Sequence, residues 1–172
     1  MTRILGIDPG SRVTGFGVVD SDGQRTVHLA SGRIVPREGD LGERLRWIFE
    51  GIRGVVDEHG PEEVAIEDVF VARNAGSALK LGQARGAALL AGVLGGLPLF
   101  EYPPARVKQA LTGHGRAEKG QVQHMVRLLL GLGEAMPEDV SDALAVALCH
   151  AHTRTTLARL PATRGWRAGR LR

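Results

Sequence analysis

Ile4-Leu5-Gly6-Ile7-Asp8-Pro9-Gly10-Ser11 sets the reading of the whole chain. An uncharged, largely aliphatic run of this length reads as a strand buried on both faces, and Asp-Pro-Gly-Ser is turn chemistry. Residues 14–20 and 27–35 also read as strands and are separated by a second turn, Ser21-Asp22-Gly23. The opening is therefore three strands joined by short turns, an antiparallel meander. An aspartate stands where the first buried strand stops.

A helix follows. Asp40 is a candidate N-cap with Glu43 three residues on, the spacing of a capping box. Leu41, Leu45, Ile48, Ile52 and Val55 recur at helical spacing, and Gly60-Pro61 ends the run. Residues 64–69 form a fourth strand, and strand-helix-strand order predicts a parallel crossover. Ala75–Leu94 reads as a long helix in which Ala78, Gly82 and Gly86 stand four apart. Each helical glycine costs roughly 1 kcal/mol against alanine, so the stripe predicts close approach by another element. Residues 97–102 form a fifth strand, and Pro98 places it at a sheet edge or a strand start.

Three helices complete the pattern. Tyr102-Pro103-Pro104 opens one that runs to residue 111, before the loop Thr112-Gly113-His114-Gly115. Val122, Met125, Val126 and Leu129 mark the next, stopped by Gly131 and Gly133. Pro137 opens the last, with Ala143, Leu144, Ala147 and Leu148 on its apolar face. The order β-β-β-α-β-α-β-α-α-α predicts an α/β domain, a mixed sheet flanked by helices, over residues 1–155.

The net charge of +3 is uneven. Arg154, Arg159, Arg164, Arg167, Arg170 and Arg172 follow residue 150 with no acid among them, so residues 1–150 carry −3. Residues 156–172 are expected to form a basic, flexible tail, either solvated or assisting in binding an anionic polymer. No leader pattern is seen at the N-terminus. The longest uncharged stretch, residues 86–100, is too short to span a bilayer. The lone Cys149 cannot form an internal disulfide and reads as packing in a reducing cytoplasm. Lys80, Arg85, Arg106, Lys108, Arg116, Lys119 and Arg127 are candidates for a basic face. His114, His124, His150 and His152 show no metal-ligand spacing.

Four acids carry the functional reading. Asp8 and Glu67 end apolar runs, and Asp139 and Asp142 stand three apart at the start of the last helix. Each has a local explanation: a turn for Asp8, a surface acid beside Asp68 for Glu67, and for Glu138 and Asp139 a helix N-terminus that favours acids by roughly 0.3–1 kcal/mol. Together they would form an oxygen-rich pocket suited to two hard cations and phosphodiester chemistry. Phe70 is a core aromatic by pattern, or a ring that stacks on an unpaired base.

The opening through Ser11-Arg12-Val13-Thr14-Gly15 resembles the start of the RuvC family of Holliday-junction resolvases. Ser77-Ala78-Leu79-Lys80-Leu81-Gly82-Gln83-Ala84-Arg85-Gly86 resembles the family's central helix. Val107-Lys108-Gln109, Ala117-Glu118-Lys119, Gln121–Arg127 and Asp142-Ala143-Leu144-Ala145 also fit. The resemblance runs from residue 2 to about 152. It implies a ribonuclease-H-like fold with a five-stranded mixed sheet, the first strand central and the fifth at the edge.

It further implies that Asp8, Glu67, Asp139 and Asp142 bind two Mg²⁺ ions, with Mn²⁺ as a substitute, and that Lys119 assists catalysis. Phe70, Arg73, Asn74, Lys80, Lys108 and Lys119 would contact DNA. The implied enzyme is a homodimer through Ala75–Leu94. It would cut four-way junctions symmetrically to leave 5′ phosphates, with the RuvA–RuvB branch-migration complex as partner, in the bacterial cytoplasm near the nucleoid. Competing readings are a non-catalytic junction-binding protein and a general ribonuclease-H-like nuclease. Gly6-Ile7-Asp8-Pro9-Gly10 also suits the phosphate loop of actin-like ATPases, but these need a second lobe that this chain is too short to hold.

Overall fold

β1 (Thr2–Asp8) lies at the centre of a five-stranded sheet ordered β3-β2-β1-β4-β5. β2 (Thr14–Ser21) pairs antiparallel with β1, and β3 (Thr26–Ile34) antiparallel with β2. β4 (Glu63–Glu67) and β5 (Leu99–Tyr102) extend the other side in parallel. The helices are α1 (Leu41–His59), α2 (Ala75–Leu94), α3 (Pro104–Thr112), α4 (Lys119–Leu130) and α5 (Glu138–Ala158). This is a ribonuclease-H-like α/β fold, with the expected element order. The structure is a computed structural model that describes residues 1–68 and 74–158. Among the described residues, no helix is long and apolar enough to cross a membrane.

Local chemistry sets the boundaries. The Asp40 side chain accepts the Glu43 amide while Glu43 reaches back to the Asp40 amide, and Gly60 closes α1 in the left-handed region at φ 55°. β5 begins at Leu99 rather than at residue 97. Gly96 turns the chain at φ 75°, Leu97 N–H returns to the Gly92 carbonyl, and the Pro98 carbonyl accepts the Val64 amide. β5 is an edge strand, as the resemblance implied, and Pro98 stands just before its first residue, where both of the alternatives read from the proline hold.

The two faces of the sheet hold separate cores. Leu5, Ile7, Val18, Val64 and Ile66 pack with Ile48, Ile52 and Val55 of α1 and Ala84, Ala88 and Ala91 of α2. Ile4, Val19 and Ala65 pack with α5, α3 and α4 through Leu144, Leu148, Val107, Val122 and Val126. Each fully buried aliphatic side chain contributes about 1.5–3 kcal/mol of transfer free energy. α5 is buried nearly all round from Val140 to Ala151, beyond the single apolar face read from its sequence. Such a helix runs through a core rather than over it. Cys149 lies in this stretch, and burial pushes its thiol up to about 12, so it serves as packing.

Glycines bring α5 onto the strands. A Cβ on Gly6 would stand 2.0 Å from the Ala143 carbonyl oxygen, one on Gly15 2.0 Å from that of Asp139, and one on Gly17 2.5 Å from Leu144 Cδ2. Any side chain at these positions would lift the helix. The stripe on α2 behaves differently. Leu79, Gly82, Gly86, Leu90 and Val93 share its outer, exposed face, and a Cβ on Gly82 or Gly86 would meet nothing within 4 Å. The element expected to approach this stripe is not found among the described residues.

Candidate active site

Asp8 and Glu67 end neighbouring parallel strands. Ile7 is in register with Ile66, so the next residue on each strand stands beside its neighbour. Alternation puts both carboxylates on the face shared by Gly6 and Ala65, the face α5 covers. Asp8 is also in register with Gly15, and the Asp139 backbone rests on Gly15. The close approach allowed by glycine therefore brings the first turns of α5, with Asp139 and Asp142, over the end of β1.

Lys119, the first residue of α4, completes the cluster. Its ammonium donates to Asp142 Oδ2 at 2.9 Å and also to Glu138. Lys108 of α3 lies on the same side. Glu67, Asp142, Lys108 and Lys119 line a cleft of about 230 Å³ floored by Val107, Val122 and Ala145. Asp8 and Asp139 stand beside this cleft rather than in its lining.

The electrostatics show an unbalanced acid cluster. Burial pushes the Asp8 carboxyl up to about 7, helped by Asp142 and Glu67 and opposed by Lys119, with Asp139 adding a smaller push. Burial and then Asp142 raise Glu67, against Lys108 and Lys119. Burial also raises Asp142, against its bond to Lys119. For Lys119, burial alone would favour the neutral amine, but Glu138 and Asp142 outweigh it and hold the ammonium. Asp139 Oδ2 is buried without a hydrogen bond among the described residues, and Arg33 Nε stands 3.8 Å from it.

An orphaned carboxylate oxygen and raised neighbouring acids in an all-oxygen donor set fit a hard divalent cation. Among the described residues, no three acid, histidine or cysteine side chains are gathered closely enough to hold an ion as they stand.

The sequence profile described as crossover junction endodeoxyribonuclease RuvC matches residues 4–150. The chain belongs to the RuvC family. A crossover junction endodeoxyribonuclease RuvC from Halorhodospira halophila is 60% identical over 156 residues, covering 90% of this chain and 93% of the relative. One from Methylococcus capsulatus is 58% identical over 160 residues, covering 93% and 96%. The structure of Thermus thermophilus RuvC in complex with Holliday junction substrate matches with a TM-score of 0.86 and 38% identity, covering 91% of this chain and 96% of that one.

Within this RuvC frame, the expected DNA contacts fall in different places. Lys108 and Lys119 line the cleft by the acids. Lys80 is exposed on α2, beside a separate groove that also holds Arg44 and Leu79. Asn74 caps α2, its Oδ1 accepting the Gly76 and Ser77 amides at 2.9 and 3.3 Å, which leaves its amide NH₂ outside the cap. Phe70 and Arg73 lie outside the described residues. Of the wider basic set, Arg85 is tied to Glu101 at 2.6 Å.

His150 is structural. Its Nε2 bonds to Glu63 Oε2 at 2.6 Å, so it is the donor there, and Nδ1 accepts the Tyr102 hydroxyl at 2.6 Å. Arg154 also pairs with Glu63, at 2.9 Å. Burial favours the neutral imidazole and Glu63 opposes it. The chain of bonds ties α5 to β4 and β5.

Two further charged residues, Glu138 and Arg33, pair with members of the cluster and are not among the candidates read from the sequence. Glu138 had a sufficient local reason in the helix dipole. Arg33 carries no motif, and its only signal is its register opposite Gly15, which appears once β2 and β3 are paired.

Proposed function

We propose that this chain resolves four-way DNA junctions by hydrolysing one phosphodiester in each of two opposed strands, in the bacterial cytoplasm near the nucleoid. In this reading Asp8, Glu67, Asp139 and Asp142 hold two Mg²⁺ ions per site, for which Mn²⁺ can substitute. The observation that carries it is the convergence of two strand-end acids with two acids from the first turns of α5, all on one face, with burial and mutual repulsion raising three of them. Bound divalent ions supply an activated water and neutralise charge on the phosphate and leaving oxygen.

The protein does the rest. Asp8, between β2 and β4 at the centre of the sheet, would hold the cations together with the other three acids. Glu67 and Asp142 face the cleft, and Asp139 presents a free oxygen from beside it. Lys119 offers a preorganised positive charge to the phosphate as negative charge develops there. Hydrolysis leaves a 5′ phosphate and a 3′ hydroxyl.

Lys108 and Lys119 would hold phosphates beside the scissile bond, Lys80, Asn74 and Arg73 would also contact DNA, and Phe70 would stack on a base near the crossover. Such contacts make affinity fall with salt, by a slope of about 0.9 per phosphate neutralised on duplex DNA. Two subunits joined through the outer face of α2 would present two sites related by a twofold axis. The exposed stripe of Leu79, Gly82, Gly86, Leu90 and Val93 supports that dimer. The RuvA–RuvB branch-migration complex is the partner this reading implies.

The test at residue level is Asp142→Asn. Junction cleavage should fall by about 10²-fold or more while the protein stays folded, as its circular dichroism checks. Undiminished cleavage would remove Asp142 from the metal site.

A further inference from the structure

Lys119 has one ammonium and two carboxylate partners of unequal character. Asp142 is mostly buried, its side chain 24% exposed, and Glu138 is largely hydrated at 62%. The two acids are four residues apart on α5 and so share a helix face, which lets one ammonium reach both. A cation on Asp142 and an ammonium on the same carboxylate repel each other. Such a cation would weaken the bond from Lys119 to Asp142.

We propose that Glu138 is a positioning residue that retains the Lys119 ammonium when a divalent cation takes Asp142. This rests on the metal-site reading above and assigns Glu138 a part in it. Without Glu138, the lysine would keep Asp142 as its one carboxylate partner of the two and compete with the metal there. With it, the ammonium moves a short way along the helix face and stays beside the phosphate site. A first-turn acid that only complements the helix dipole would act on α5 whatever occupies residue 119, so the two roles are separable.

The experiment measures Mn²⁺ binding to the full chain by electron paramagnetic resonance of the free ion. The variants are Glu138→Gln, Lys119→Met, the two combined, and Asp142→Asn as a control. Wild type should bind Mn²⁺, and Asp142→Asn should lose most of that binding. Glu138→Gln should weaken binding by about threefold to tenfold in the wild-type background and by less than about twofold in Lys119→Met. An equal factor in both backgrounds would make Glu138 a plain charge or a direct ligand and overturn the proposal, as would no effect in either. Failure of the wild type to bind Mn²⁺, or equal binding by Asp142→Asn, would instead bring down the metal-site reading, and the proposal with it.

Discussion

Asp8 follows a run of residues with no contact with water, and its carboxyl is pushed up to about 7 by burial first and then by Asp142 and Glu67. A raised folded-state pKa means that its stabilising contribution is fully present below its unfolded value near 4 and is lost as the pH rises through about 7. The metal-free protein should therefore weaken across that window. Asp8→Asn should raise the metal-free thermal midpoint at pH 8, with the gain shrinking as the pH falls towards 4. A gain that does not vary with pH would contradict the account, and a thermal scan series without and with Mg²⁺ measures it. Bound cations favour the ionised acid, so Mg²⁺ should raise the wild-type midpoint at pH 8 and lower the pH at which cleavage reaches its plateau. Asp8 and Glu67 were legible in the sequence because each interrupts an apolar run at a strand end. Glu138 and Arg33 were not. The first had a complete local explanation, and the second depends on a strand pairing that spacing alone does not fix.

At the scale of elements, the site depends on how closely α5 lies on β1 and β2. Gly15 sits under the Asp139 carbonyl, and a Cβ there would need a backbone shift rather than a rotamer change. Gly15→Ala should cost about 1–3 kcal/mol in denaturant unfolding and lower junction cleavage further than that loss explains, because Asp139 moves with the turn. Full activity in a folded variant would show that the acids tolerate a lifted helix. The element order and the capping box of α1 could be read from turn and capping chemistry, while Pro98 left a sheet edge and a strand start both open for β5. The glycines at 6, 15 and 17 read only as weak strand residues, since their reason is a helix more than a hundred residues further along. The extent of burial of α5 was also hidden, because its many alanines give little periodic contrast.

For the whole molecule, the sequence carried a stripe of small residues on α2, and the structure places the outer face of that helix in the open. Two pockets on one junction require two subunits in the proposed mechanism, and the proposal puts their contact on this face. Leu90→Glu, on that face, should shift the protein to monomer in sedimentation and replace paired incisions with slow single nicks. An intact dimer would move the interface elsewhere. The arginine-rich end beyond Ala158 lies outside the described residues, and its charge remains a feature of the sequence. The most direct test of the central claim is cleavage of a synthetic mobile four-way junction beside a linear duplex of matching sequence, with Mg²⁺ or with EDTA, by wild type and by Asp8→Asn. The account predicts paired symmetric nicks in the junction alone, abolished by EDTA and by the substitution. Equal cutting of the linear duplex, or cleavage that survives Asp8→Asn, would contradict it.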